Sequence, residues 1–340
     1  MGNKGNSSFF YGLLFFVLFG IVSMLIFSKA IDSPILENNQ KKFEIFIPKE
    51  GRLLSYVIDS LGSLGQIKYS QAISILSDLR GYDSAKFGYY KIDSTIGVMQ
   101  FLRKLTFGYE DPLNVRIGGY KSREEYLKEL SNVFPWSLDS LRTYLGNDTS
   151  WSRIIPNTYE MYWSSNPRKI SNRLRREYNV FWSNYRRNRA EDLGFSPDDI
   201  MIIASISQAE TKALDELPRI AALYMSRLRI GKRLESDPTA VYAYREMNPG
   251  TDIVRRVSRK MTRVNHPYNT YNIPGLPPSP IATVEPEIID AVLSAIPKGE
   301  LYMCADPERI GYHNFTSSFR QHLINSSKYH RSLNRRGIRR

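Results

Sequence analysis

Glu210 closes the run MIIASISQAE that begins at Met201, and its spacing from apolar neighbours sets it apart from the other acids of this 340-residue chain. Ile203, Ile206 and Glu210 fall at i, i+3 and i+7, so in a helix the carboxylate shares a face with aliphatic side chains. Burial disfavours the charged form of a carboxyl, and the negative end of a helix stopping near Lys212 adds to the effect. A carboxylic acid kept protonated near neutral pH is a proton donor. The same spacing also fits a last-turn glutamate whose stem lies on apolar surface while its head reaches water. Spacing alone leaves both readings open.

Other polar groups gather further along. Asn269, Thr270 and Tyr271 stand beside a rigid proline-rich loop, Pro274 to Pro280, and loops of this kind position amides and hydroxyls around a ligand. Sugar hydroxyls suit them, although a turn bonding its own backbone reads the same way. Asp237-Pro238-Thr239 reads as a turn whose carboxylate caps the segment Thr239 to Tyr244, a structural role placed ahead of a catalytic one. His313-Asn314-Phe315 reads as a strand-to-turn cluster. The single cysteine, Cys304, makes no internal disulfide, and four scattered histidines match no metal spacing, so neither metal nor cofactor is expected.

The elements that must position these groups follow from caps and periodicity. Ser196-Pro197-Asp198-Asp199 starts the helix of Glu210 with a hydroxyl cap, a first-turn proline and an acid at the third position. A second helix enters at Pro218 and leaves at Gly231; Ile220, Leu223, Tyr224 and Leu228 should pack it on the first. Ile170, Leu174, Tyr178, Phe181 and Tyr185 form an apolar stripe on one long helix, and a closing helix runs from about Ser317 to Leu333. Nearer the start, Phe43 to Ile47 reads as a strand. Leu54, Val57, Ile58 and Leu61 mark one amphipathic helix, and Ala72, Ile75, Leu76 and Leu79 a second. Gly88 to Ile92 reads as a returning strand, and Val98, Phe101, Leu102 and Leu105 mark a helix that Gly108 stops. Ser122 caps another in the manner of a capping box with Glu125.

Phe9 to Phe27 is an uncharged apolar run long enough for one bilayer crossing, with no cleavage site behind it, and reads as an uncleaved transmembrane anchor. Ile31 to Lys42 reads as its tether. The net charge of +13 invites nucleic acid as a partner, yet the arginines concentrate on 168–189 and 331–340 without any nucleic-acid-binding motif. Anionic lipid, or the carboxylates of wall peptides, suits such charge better, and a solvated basic helix face is the plainest reading of any single arginine.

In order along the chain, several segments resemble one family, the MltG-type (YceG-like) endolytic murein transglycosylases. The helix ASISQAET at Ala204–Thr211 is similar to the family's ASIVEKET. PRIAALYMSRLRIG from Pro218 resembles its P-x-I-A helix ending in NRL-x-x-G, and DPTAVY from Asp237 its DPT-V-Y turn. Asn269-Thr270-Tyr271 resembles its NTY box and GLPPSPI from Gly275 its GLPPGPI loop. IPNTYEMYW from Ile155, LYMCAD from Leu301 and GYHNF from Gly311 match further segments.

The resemblance implies an α+β fold: a cytoplasmic stub with an N-terminal single transmembrane helix (together 1–28), a linker (29–42), a small LysM-like βααβ domain (43–113) and a mixed α/β YceG-like catalytic domain (114–340). The LysM-like unit either touches glycan or serves as a spacer. The resemblance further implies a lyase of the bacterial inner membrane, its catalytic domain on the extracytoplasmic side. The substrate would be peptidoglycan glycan strands, with penicillin-binding synthases as partners and no nucleic acid. Glu210 would be the catalytic residue; Asn269, Thr270, Tyr271, Asp237 and Thr239 would hold substrate. Lytic transglycosylases use no water: the 6-hydroxyl of the muramyl unit attacks its own anomeric carbon, so one residue can serve as acid and base.

Two positions depart from the family. Gln208 stands where members commonly carry the first acid of E-x-E-T, and Ser279 replaces a loop glycine. Gln208 lies roughly 200° around the helix from Glu210, so the apolar-face argument selects Glu210. Two other functions fit the same residues. A lysozyme-like hydrolase would pair Glu210 with Asp237 or Glu235. A wall-binding scaffold would keep the fold with a dead site.

Overall fold

A computed structural model describes Leu14, residues 17–19, Ile21, 33–36, 41–251 and 257–335. Most of the apolar run Phe9 to Phe27 lies outside the described residues. Among those described, no helix is long and apolar enough to cross a membrane. The expectation of a transmembrane helix is corrected accordingly: a crossing needs about 20 consecutive apolar residues in one helix, and only five residues of that run are described. A mixed α/β architecture remains.

The chain divides into two compact units, Met1–Asn114 with Glu160–Ser165, and Val115–Tyr159 with Asn166–Arg340. In the first, β1 (Lys42–Ile47) pairs antiparallel with β4 (Gly88–Asp93), and β2 (Arg52–Leu53) with β3 (Ser84–Ala85). Between them run α1 (Leu54–Ser63) and α2 (Ser70–Leu79). Helix α1 buries Leu54, Val57, Ile58 and Leu61, the stripe its periodicity marks. Helix α2 does not follow its expected stripe. It buries Ile73 and Leu76, while Ile75 and Leu79 face outward. The two stripes share Leu76 and differ by about one residue of rotation, which periodicity cannot resolve in so short a helix. Helix α3 (Val98–Phe107) completes the core with Val98, Phe101, Leu102 and Leu105, and ends at Gly108, φ 74°, where a side chain would be strained. Residues 34–36, expected in a tether, instead belong here: Ile35 and Leu36 are buried in the same core.

The second unit is mostly helical. It begins within β5 (Pro112–Ile117), which pairs with β6 (Asn157–Tyr162). Next come α4 (Arg123–Val133), capped by Ser122, then α5 (Leu138–Leu145) and α6 (Asp148–Ser152). The expected long helix is two, α7 (Pro167–Phe181) and α8 (Asn184–Asp192). The break falls at Trp182, itself buried, and arginines of α8 take up the freed carbonyls: Arg186 bonds Phe181 O and Arg187 bonds Trp182 O. Tyr185 is therefore outside the stripe and exposed.

Helix α9 (Pro197–Glu210) opens with the full capping box expected of Ser196 and Asp199, and buries every residue from Ile200 to Ser207. Helix α10 (Leu217–Arg229) packs on it through Ile220, Leu223 and Tyr224 against Ile202 and Ile206. Asp237 does not cap a turn. It is the first residue of α11 (Asp237–Met247), whose N-cap position belongs to Ser236. Then come α12 (Arg259–Thr262), α13 (Pro286–Leu293), a hairpin of β7 (Tyr302–Ala305) and β8 (His313–Thr316), and α14 (Phe319–Arg335).

Candidate active site

Glu210 is the last residue of α9, placed there by the apolar face that anchors the preceding turns. Two hydroxyls converge on the same oxygen. Tyr224 of α10 donates to Oε1 at 2.6 Å and Ser236 donates to it at 2.9 Å. Burial pushes the Glu210 carboxyl above the usual carboxylate range; the bonds from Tyr224 and Ser236 pull the other way, and the charge of Asp237 pushes further up. Burial and the same carboxyl hold the Tyr224 hydroxyl well above an ordinary phenol, so it remains a donor. Both donors occupy Oε1. A proton on the acid therefore sits on Oε2, which has no protein partner among the described residues.

Glu210 lines two cavities. One, of about 540 Å³, extends past Asp237 and Tyr271 to the β7–β8 hairpin and α14. The other, of about 440 Å³, lies against Lys121, Ser122, the start of α11 and the Ile281-Ala282 turn. A further cavity, of about 800 Å³, belongs to the first unit and has Lys49, Arg52, Tyr56 and Phe87 in its lining. Among the described residues no group of His, Cys, Asp and Glu is arranged to hold a metal ion.

The residues expected to hold substrate separate into two sets. Asp237 and Tyr271 line the larger cavity, and the Tyr271 hydroxyl donates to Asp237 Oδ1 at 2.7 Å. Asn269, Thr270 and Thr239 are fully buried behind that wall. Asn269 donates its amide to the carbonyls of Thr262 and Val264 at 3.1 and 2.7 Å, and its oxygen accepts from Tyr271 N. The hydroxyls of Thr239 and Thr270 bond each other at 2.7 Å, and Thr270 accepts from Ser236 N. All three support the segments that carry Ser236 and Tyr271. Glu235, which lines the larger cavity, is paired with Arg227, a buried guanidinium that also donates to Arg233 O and Leu301 O.

Gln208 points away from Glu210 and donates to Thr283 O at 2.8 Å. Ser279 is fully buried, bonded to Tyr268, Asp148 and Arg123. Tyr224 was legible only as a packing residue, and Ser236 and Glu216 carried no signal at all. Ser236 occupies an N-cap position, where a serine usually bonds its own helix.

The pattern of the YceG-like family matches residues 46–328. The chain belongs to the YceG-like family. This YceG-like chain is 23% identical over 333 residues to an endolytic murein transglycosylase of Streptococcus pneumoniae serotype 2, covering 86% of this chain and 60% of the relative. A Bacillus subtilis protein of the same name is 22% identical over 340 residues, with 91% of each chain covered. The YceG-like chain thus spans less than two thirds of the Streptococcus relative and nearly all of the Bacillus one. Its fold is similar to a crystal structure of a yceG-like protein from Listeria monocytogenes, with TM-score 0.50 at 19% identity over 84% of this chain and 98% of that one.

Proposed function

We propose that this chain is an endolytic peptidoglycan lytic transglycosylase, cutting the bond between N-acetylmuramyl and N-acetylglucosaminyl units with Glu210 as both acid and base. One observation carries the reading: a buried carboxyl that burial pushes above the usual carboxylate range, with both donors on Oε1 and two cavities that it lines. A strand lying through both cavities would meet the acid in its interior, which is what internal cutting requires.

The proton on Oε2 passes to the glycosidic oxygen as its bond to the anomeric carbon breaks. The carboxylate so formed is held by the Tyr224 and Ser236 hydroxyls, which strengthen as the charge develops. The muramyl 6-hydroxyl then bonds the anomeric carbon and returns its proton to Glu210, leaving a 1,6-anhydro end. No water enters, and no second carboxylate is needed. Murein transglycosylases are the named relatives in two organisms, and this supports the choice of substrate. The reading takes nascent strands as substrate, the synthases that make them as working partners, and the extracytoplasmic side, where the polymer lies, as the location.

Asp237 favours a second reading, because it lines both cavities and its charge acts on Glu210. A hydrolase would use it as base towards water. Digestion of purified glycan strands, with mass analysis of the ends beside Glu210→Gln, separates the readings. Internal cuts with anhydro ends that vanish in the variant support the lyase, reducing muramyl ends the hydrolase, and binding without any cutting a scaffold.

A further inference from the structure

The residues that follow Glu210 hold a distant hairpin. Thr211 donates its hydroxyl to Gly311 O at 3.0 Å, and Tyr312 donates its hydroxyl to Asp215 at 3.1 Å. Glu216 accepts the backbone N–H of His313 at 2.7 Å and lies 2.9 Å from Nδ1 of the same ring. The side chains of Glu216 and His313 are only 6% and 13% exposed. So enclosed a carboxylate calls for N–H donors, which in the neutral ring puts the hydrogen on Nδ1 and leaves Nε2 as the nitrogen with the lone pair.

His313 lines the 540 Å³ cavity together with Glu210. Among the described residues Nε2 has no protein partner. The backbone N–H of His313 and the carbonyl of Gly311 also tie the hairpin to the segment 211–216. The bond from the ring adds something else: it fixes the direction of an imidazole in the cavity of the acid.

We propose that His313 is a substrate-contacting residue and Glu216 its positioning residue, the ring presenting Nε2 as acceptor to a hydroxyl or N-acetyl N–H of the sugar bound beside Glu210. This rests on the reading of the cavity as a glycan site. Nε2 takes no proton away; the transfers stay with Glu210.

Two substitutions separate the ring's two nitrogens. His313→Asn keeps an N–H for Glu216 and removes the cavity nitrogen, whereas His313→Gln restores a polar atom near Nε2. In the full chain, His313→Asn should melt within about 2 °C of wild type. Its kcat/KM on glycan strands should fall about tenfold or more, partly regained in His313→Gln. A direct reading comes from nitrogen-15 histidine spectra of Glu210→Gln protein, which retains His313. Adding a GlcNAc-MurNAc tetrasaccharide should shift the Nε2 resonance of His313, and a further Glu216→Gln change should weaken that shift. Wild-type cutting by a folded His313→Asn, or tetrasaccharide binding that leaves the Nε2 resonance in place, overturns the proposal. A wild-type protein that neither cuts strands nor binds the tetrasaccharide overturns the glycan reading itself, and the proposal with it.

Discussion

Ser236 gives its hydroxyl to Oε1 of Glu210 at 2.9 Å and makes no capping bond to the helix it begins. An N-cap serine ordinarily satisfies a free N–H of the first turn, worth about 1 kcal/mol. Ser196, at the start of the helix that carries Glu210, does make that bond. At Ser236 the cap is forgone and the acid gains a donor, a local loss of the kind found where function overrides stability.

Replacing the two serines should therefore have opposite consequences. Ser196→Ala should lose about 1 kcal/mol in urea unfolding with cutting unchanged. Ser236→Ala should lose little helix stability but lower the rate about tenfold, since the carboxylate formed in the reaction loses a donor. Its pH profile should also move. The bonds from Ser236 and Tyr224 hold the Glu210 carboxyl down against burial, and the proposed reaction starts from the protonated form. Removing either bond raises the pH at which activity falls, in Ser236→Ala and in Tyr224→Phe alike. A limb that stays in place or moves to lower pH contradicts this account.

Glu210→Gln should abolish cutting yet stabilise the fold at high pH. A carboxyl raised on folding favours the folded state below its unfolded value, and that contribution is lost as pH rises through the folded one. Glutamine never ionises and still accepts from Tyr224 and Ser236. The melting temperatures of the two proteins should coincide near pH 4 and separate in favour of the variant near pH 9. Equal melting at both pH values would show that burial does not hold the acid protonated.

Glu235 has φ 51°, a left-handed backbone uncommon for glutamate, and its side chain pairs with the buried Arg227. Glu235→Ala removes the partner of an enclosed cation and relieves no strain, so it should lose about 3 kcal/mol. Glu235→Gly should lose about 1 kcal/mol less because glycine accepts the backbone angle. Calorimetry of both variants measures the difference. Glu235→Gln should keep cutting; a folded but inactive variant would make Glu235 a working carboxylate.

Ser279→Gly restores the glycine usual in the family's loop and removes a buried hydroxyl bonded to Tyr268 and Asp148. The expected loss is about 1 kcal/mol in chemical unfolding, with the pH dependence of cutting unchanged. Greater stability would mean that the loop strains to accommodate serine.

Gln208→Glu restores the first acid of the family's pair and should gain no activity. The amide donates to Thr283 O, and a carboxylate there would face a carbonyl with no hydrogen to offer. A loss of about 1–3 kcal/mol should follow, read as a lower melting temperature. A rise in cutting rate would show that the first acid takes part in the reaction.

Much of the acid's placement was written in local sequence. The capping box at Ser196, the aliphatic turns after it and the position of Glu210 on their face depend on neighbours within a few residues, which periodicity and cap chemistry report directly. The stripes of α1 and α3 were legible for the same reason. Where two adjacent stripes were both apolar, as in α2, only packing chose between them. Tertiary structure alone decided what the acid meets. Ser236 lies 26 residues from Glu210 in sequence, and His313 lies 97 from Glu216. It likewise turned Asn269, Thr270 and Thr239 inward while leaving Tyr271 at the cavity. A polar side chain reads alike in sequence whether it braces the backbone or faces a ligand, because that depends on which distant segment folds against it.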